Sequence, residues 1–235
     1  MVDEITRLEA PIDVMYLMHK AFHGQSERTE ALAAGLEKGG NIADFKESFD
    51  FWIKQLLYHA TAEDKYMTGP LTDCQPARDN EEEHAELVRH GGGLIEFMDK
   101  GDAAGLAENV KAAMLALEGK QHEELVEKAQ EVEQLLTQEI GKDRVVARTR
   151  RHLYRRVMAL RVLEFDHFEN EEAFVCTIVR DQINEPQQLE MIKHLLIDES
   201  APDPRWVIDW VASELSPGEQ VLLADLEARF STPVA

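Results

Sequence analysis

Two stretches far apart in the chain, LLYHATAED at residues 56–64 and FDHFENEEAF at residues 165–174, each set a histidine four positions before a glutamate. Four residues make about one α-helical turn, so His59 with Glu63, and His167 with Glu171, each present an imidazole and a carboxylate to one point in space. The surroundings repeat as well: an aromatic residue before the histidine (Tyr58, Phe165), a second acid after the glutamate (Asp64, Glu172) and another aromatic three beyond it (Tyr66, Phe174). A single such pair is what an ordinary core histidine satisfied by a hydrogen bond looks like. Two matching pairs constrain the fold more strongly, because ionisable groups on apolar faces are costly to bury unless they meet partners or a cation.

The helical spacing extends through the rest of the chain. Residues 11–37 open with Pro11, a first-turn residue, and carry Ile12, Met15, Tyr16, His19 and Phe22 before the stop at Gly39-Gly40. Asn41 caps a second predicted helix whose inner stripe runs Phe45, Phe49, Trp52, Leu56, His59, Glu63 and Tyr66, ending before Gly69-Pro70. A loop with Cys74 and Pro76 leads to a third, at about 79–98, with His84, Leu87 and Val88 on one side and Gly91-Gly92-Gly93 as a place where it can bend. Residues 103–140 read as one helix or, broken at Gly119, two. A long helix comes next at about 143–181, with Val157, Leu160, His167, Glu171, Phe174 and Ile178 on one face. Three shorter helices fill 185–231, the last opened by the capping box Ser216 to Glu219. No strand pattern competes, so the fold class is all-α.

The heights of the histidines in such a bundle agree. His19 precedes the Gly39-Gly40 turn by about as many residues as His59 lies beyond it, so in an antiparallel hairpin rising ~1.5 Å per residue the two face each other. His84 stands a turn or so into its helix, at the same end. Imidazoles and carboxylates converging inside a helical bundle are a recipe for a di-iron or di-manganese centre. With only Cys74 and Cys176 in the chain, neither a disulfide framework nor a cysteine zinc site is expected.

The order of His19, then His59 with Glu63, then His84 after a run of acids (EEEH), then His167 with Glu171 and Glu172 resembles the hemerythrin or HHE cation-binding domain. The resemblance covers about 11–180. It implies an up-and-down four-helix bundle around a non-haem di-iron site, manganese being the other candidate metal, with His19, His59, Glu63, His84, His167 and Glu171 as metal ligands. It also implies a small-molecule ligand: dioxygen, peroxide or nitric oxide. The interval between His84 and His167 is about twice the usual one, so a helix or helical hairpin is inserted. If 103–140 is unbroken, it takes the fourth place in the bundle and His122 becomes a ligand, with Glu127 behind it; both helices could also contribute. The family's oxygen carriers add a histidine four residues after the third-helix ligand, where this chain has Val88, which leaves a position for water, an anion or a tyrosinate from Tyr58 or Tyr66.

The expected architecture is thus a domain at 11–181 and a helical extension at 182–235 packed on it. The formal net charge of −21 disfavours nucleic acid and anionic membranes as partners. No membrane span or targeting segment is read, and the expected location is the cytoplasm, as a monomer or homodimer. The six arginines between Arg144 and Arg156 read as a solvated face paired with acids. His23, His152 and His194 read as peripheral, and Trp206 with Trp210 as a patch sealing the end of the bundle or forming a dimer contact. A pocket lined by Phe49, Trp52, Leu56 and Phe174 is expected to keep water out. Three functions are compatible with this pattern: a binder or sensor of oxygen or iron, a di-iron redox enzyme consuming peroxide or nitric oxide, or a metal-free helical interaction protein.

Overall fold

The structure, a computed structural model, describes residues 4–38, 41–71, 74–100 and 147–231. The helical region expected at 103–140, its break at Gly119, and His122 and Glu127 within it lie outside the described residues. Among the described residues the chain is all-α. Helix α1 is Val14–Gly35, α2 Ile42–Glu63, α3 Gln75–Lys100, α4 Ala147–Asn170, α5 Cys176–Gln182, α6 Glu185–Leu196, α7 Trp206–Glu214 and α8 Pro217–Ala228. None of the described helices is long and apolar enough to cross a membrane.

The local signals act as expected at several ends. Asn41 Oδ1 accepts the Ala43 amide at 2.9 Å to open α2, and Ser216 with Glu219 forms the capping box of α8. Helix α3 begins earlier than expected, at Gln75. Pro76, expected in a loop, lies in its first turn, where a missing N–H is no loss. The glycine run does not end α3; a Cβ on Gly91 would stand 2.8 Å from Ile53 Cδ1, so glycine serves a close approach there.

Two places depart from α-helical winding. Asp64–Thr68 directly after α2, and Glu171–Val175 between α4 and α5, are π-helical turns, each beside a glutamate of the histidine–glutamate pairs. A π turn holds one extra residue and re-phases the helix beyond it. Met67 and Thr68 are therefore buried rather than Tyr66, and Val175, Cys176 and Val179 rather than Phe174. Phe174 is 56% exposed, which corrects the expectation that it lines an inner pocket.

The chain forms two compact units. One comprises 1–26, 54–85 and 164–235; the other 27–53 and 86–163. In the first, the corresponding parts of α1 to α4 pack around the buried histidines over a core of Met15, Met18, Phe22, Leu56, Phe168, Val175 and Val211. The C-terminal helices join this core. Tyr58 donates its hydroxyl to the His194 carbonyl at 2.7 Å, Lys20 pairs with the fully buried Glu219 at 2.6 Å, and Arg180 pairs with Asp13. Burial opposes a charge on Glu219, but Lys20 and the amides of Ile5 and Ser216 outweigh it and hold the carboxyl down at about 2.

The second unit packs Phe45, Phe49 and Trp52 along α2, and holds Arg161 of α4 against Glu27 and Glu30 of α1. The arginine-rich segment is not wholly a solvated face: Arg156 is largely buried, and burial lowers it to about 10. Trp206 and Trp210 belong to the first unit, where Trp210 meets Phe22 edge-on with ring centroids 4.9 Å apart and Trp206 donates to Asp198 at 3.1 Å.

Candidate metal centre

Each long helix brings one histidine to the cluster, α2 brings a glutamate, and the turn after α4 brings another: His19 from α1, His59 and Glu63 from α2, His84 from α3, His167 from α4 and Glu171 from the turn after it. All six residues are at most 2% exposed. His59 Nε2 lies 3.0 Å from Glu63 Oε1, and His84 Nε2 lies 2.8 Å from Glu63 Oε2. Glu171 Oε2 stands 3.3 Å from His19 Nε2 and 3.9 Å from His167 Nε2. The Nε2 atoms of His84 and His167 are 3.0 Å apart. Ligand atoms of His19, His59, Glu63 and Glu171 form one group within 4.8 Å, and those of Glu63, His84 and His167 form a second. Glu63 belongs to both.

Remote contacts aim these rings. The acid after each motif glutamate takes the Nδ1 of a histidine on another helix: Asp64 Oδ1 is 2.6 Å from His84 Nδ1, and Glu172 Oε1 is 2.7 Å from His19 Nδ1. Glu83 Oε2 is 2.9 Å from His167 Nδ1. A carboxylate on Nδ1 leaves Nε2 as the inward atom and raises its basicity, as carboxylates do behind metal-binding histidines. Phe168 stacks on the His19 ring at 4.0 Å, and Phe22 lies 5.0 Å from His59, so aromatic rings wall the interior on this side.

The donor set fits a pair of cations. The inward Nε2 atoms of His19 and His59 and all four carboxylate oxygens of Glu63 and Glu171 are buried without a partner in hydrogen-bonding geometry. Orphaned buried polar atoms cost on the order of 1–3 kcal/mol each, more when charged, and these converge on one place. Imidazole and carboxylate donors without sulfur suit divalent metal cations. In the metal-free chain protons take the cations' part. Burial opposes charge on His19 and His84, yet the acids around them win: Glu171 and Glu172 raise His19 to about 9, and Asp64 and Glu63 raise His84 to about 10. Glu63, despite burial, is held well below the usual carboxylate range by His59 and His84.

Of the residues singled out in the sequence, His19, His59, Glu63, His84, His167 and Glu171 are thus brought together, while His122 lies outside the described residues. Tyr58 and Tyr66 turn to His194 instead: Tyr66 stacks on its ring at 3.9 Å, and burial pushes the Tyr58 hydroxyl up, away from tyrosinate. His23 packs on Phe165 and Phe168. Sequence reasoning misses the hydrogen-bonding part of Asp64, Glu172 and Glu83. The first two carry a signal, the acid repeated after each motif; Glu83 carries none beyond its place in EEEH.

Residues 10–119, just under half of the chain, match the family model described as the hemerythrin HHE cation binding domain. This part of the chain is similar to the hemerythrin HHE domain. The matched span of the HHE domain contains His19, His59, Glu63 and His84; His167 and Glu171 lie beyond it and reach the same cluster through the fold. No curated protein and no solved structure matches the chain.

Proposed function

We propose that the chain is a non-haem di-iron protein of the hemerythrin kind that binds dioxygen or a related small oxidant, or reports on oxygen or iron. In this reading His19 and His59 hold one ion, His84 and His167 the other, and Glu63 and Glu171 lie between them; manganese is the alternative metal. The observation that carries it is Glu63, whose two carboxylate oxygens divide between histidines of the two groups. An iron pair held by these residues would supply the electrons for binding or reducing a small oxidant.

The chain's own residues do the rest. Asp64, Glu172 and Glu83 fix three imidazoles with Nε2 inward. Phe168, Phe22 and, behind it, Trp210 exclude bulk water, which favours binding over turnover. Residues 11–181 are the working domain, and 182–235 an extension that backs it. A cytoplasmic setting fits the unlinked cysteines Cys74 and Cys176.

One observation favours a second reading. The acids on the His84, His167 and His19 Nδ1 atoms are 43%, 34% and 30% exposed, so protons can be handed inward, as an enzyme consuming peroxide or nitric oxide requires.

Metal quantification after iron-replete expression and anaerobic purification is the first test, with about two irons per chain expected and none overturning both readings. Admitting air to the reduced protein then separates them: a long-lived visible absorption supports the binder, whereas steady consumption of peroxide or nitric oxide without a lasting species supports the enzyme. His59→Ala and His167→Ala should lose metal while His122→Ala keeps it; the reverse for the last two would give the fourth place to His122.

A further inference from the structure

Beside the HHE centre, and outside its ligand set, lies a cavity of about 310 Å³ lined by Pro76, Asp79, Asn80, Glu83, Asn170, Phe174 and Val175. Its size is at the lower end of what small organic ligands use, about 300–1,000 Å³. Pro76, Phe174 and Val175 give it apolar walls, and the π turn that leaves the Phe174 ring exposed supplies two of them. Asp79 and Glu83 bring two carboxylates, and its described lining includes no lysine or arginine. The deciding residue is Asn80. It is 3% exposed, and both its amide nitrogen and its amide oxygen are buried without a hydrogen-bond partner.

A buried amide with neither hydrogen bond made is a standing cost unless something outside the chain makes them. Hydrogen-bonding carboxylates, an open amide and an aromatic face, in a chain of net charge −21, select a positively charged donor with an apolar body. We propose that this cavity is a binding site for a small organic ammonium ion. Its N–H groups donate to Asn80 Oδ1 and to the carboxylates of Asp79 and Glu83, and its apolar part lies against Phe174, Pro76 and Val175.

Occupancy is felt at the centre through one residue. Glu83 gives one oxygen to His167 Nδ1 at 2.9 Å and accepts Asn170 Nδ2 on the other at 3.2 Å. An ammonium ion drawing on this carboxylate weakens its hold on the imidazole, so the cavity and His167 are linked.

The test uses the full chain and benzylammonium as the probe, with benzoate and benzyl alcohol as controls, measured by calorimetric titration. Saturable binding of benzylammonium, and none of benzoate, is expected. Asn80→Leu should weaken it about tenfold or more, and Asp79→Asn, at a solvent-facing position, about twofold to fivefold. No saturable binding, equal binding of benzoate, or binding untouched by both substitutions would overturn the proposal. Melting of Asn80→Leu is the second measurement. An amide with no internal partner predicts a variant that melts no lower than the parent, and a lowered melting temperature would mean that the protein already satisfies Asn80, which also overturns it. None of these readouts depends on which metal the centre holds.

Discussion

The two histidine–glutamate pairs look alike in the sequence and differ in the structure. Glu63 spreads its oxygens, Oε1 to His59 at 3.0 Å and Oε2 to His84 at 2.8 Å. Glu171 approaches both of its histidines with the same oxygen, and more loosely, at 3.3 and 3.9 Å. The rings differ too: His167 is steered by Glu83, whereas His59 Nδ1 is buried without a partner. One half therefore has a tight carboxylate and a weakly steered ring, and the other a loose carboxylate and a firmly steered ring. A repeated motif makes two half-sites without making them equivalent.

The largest expected effect comes from the shared carboxylate. Glu63→Gln should take metal content from about two ions per chain to near none by elemental analysis, because both groups lose a donor. Glu171→Gln should leave about one ion; equal loss in the two variants would break the asymmetry.

Next come the steering acids. Glu83→Gln and Asp64→Asn should each weaken metal affinity on the order of 10–100-fold in competition with a chelator, the range for carboxylates behind ligating histidines. His59 Nδ1 has no such acid, so a comparable loss from a neighbour of His59 would contradict the unequal steering.

The smallest effect is with pH. His19 and His84 are raised above their unfolded value, so in the metal-free chain their contribution to stability is full below about pH 6.5 and is lost as pH rises through about 9 and 10. Metal binding must displace those protons, so affinity rises over the same interval. Denaturant melts of the metal-free chain should thus weaken with rising pH, while the loaded protein gains relative to it; parallel curves would remove the protonated imidazoles from the account.

Much of the centre is legible in the sequence because its signals are local. Residues four apart share a helical face whatever the fold, so the pairs at His59 and His167 stand out, and counting residues along the sequence expects His19 level with His59; their rings lie 5.6 Å apart. The capping residues Asn41 and Ser216 act within three positions of themselves. The illegible parts depend on other helices or on departures from 3.6-residue winding. Glu83 sits beside His84 in sequence but serves His167 across the bundle. Continuing the α-helical stripe past Glu171 puts Phe174 inside, and the extra residue of the π turn directs it outward.

Those two widened turns have a consequence for how the chain tolerates changes in length. In an ordinary helix a one-residue insertion swings everything downstream by about 100° and scrambles the face it presents. Here His59 and Glu63 lie wholly upstream of the first widened turn, and His167 upstream of the second, with Glu171 at its first position. A deletion at 65–68 would rewind that turn and re-phase the residues after it while sparing His59 and Glu63 before it. Outer packing beyond each turn can thus be altered while the histidine–glutamate pair that precedes it keeps its own spacing, and the cost falls on what the turn itself aims, His84 through Asp64 and His19 through Glu172.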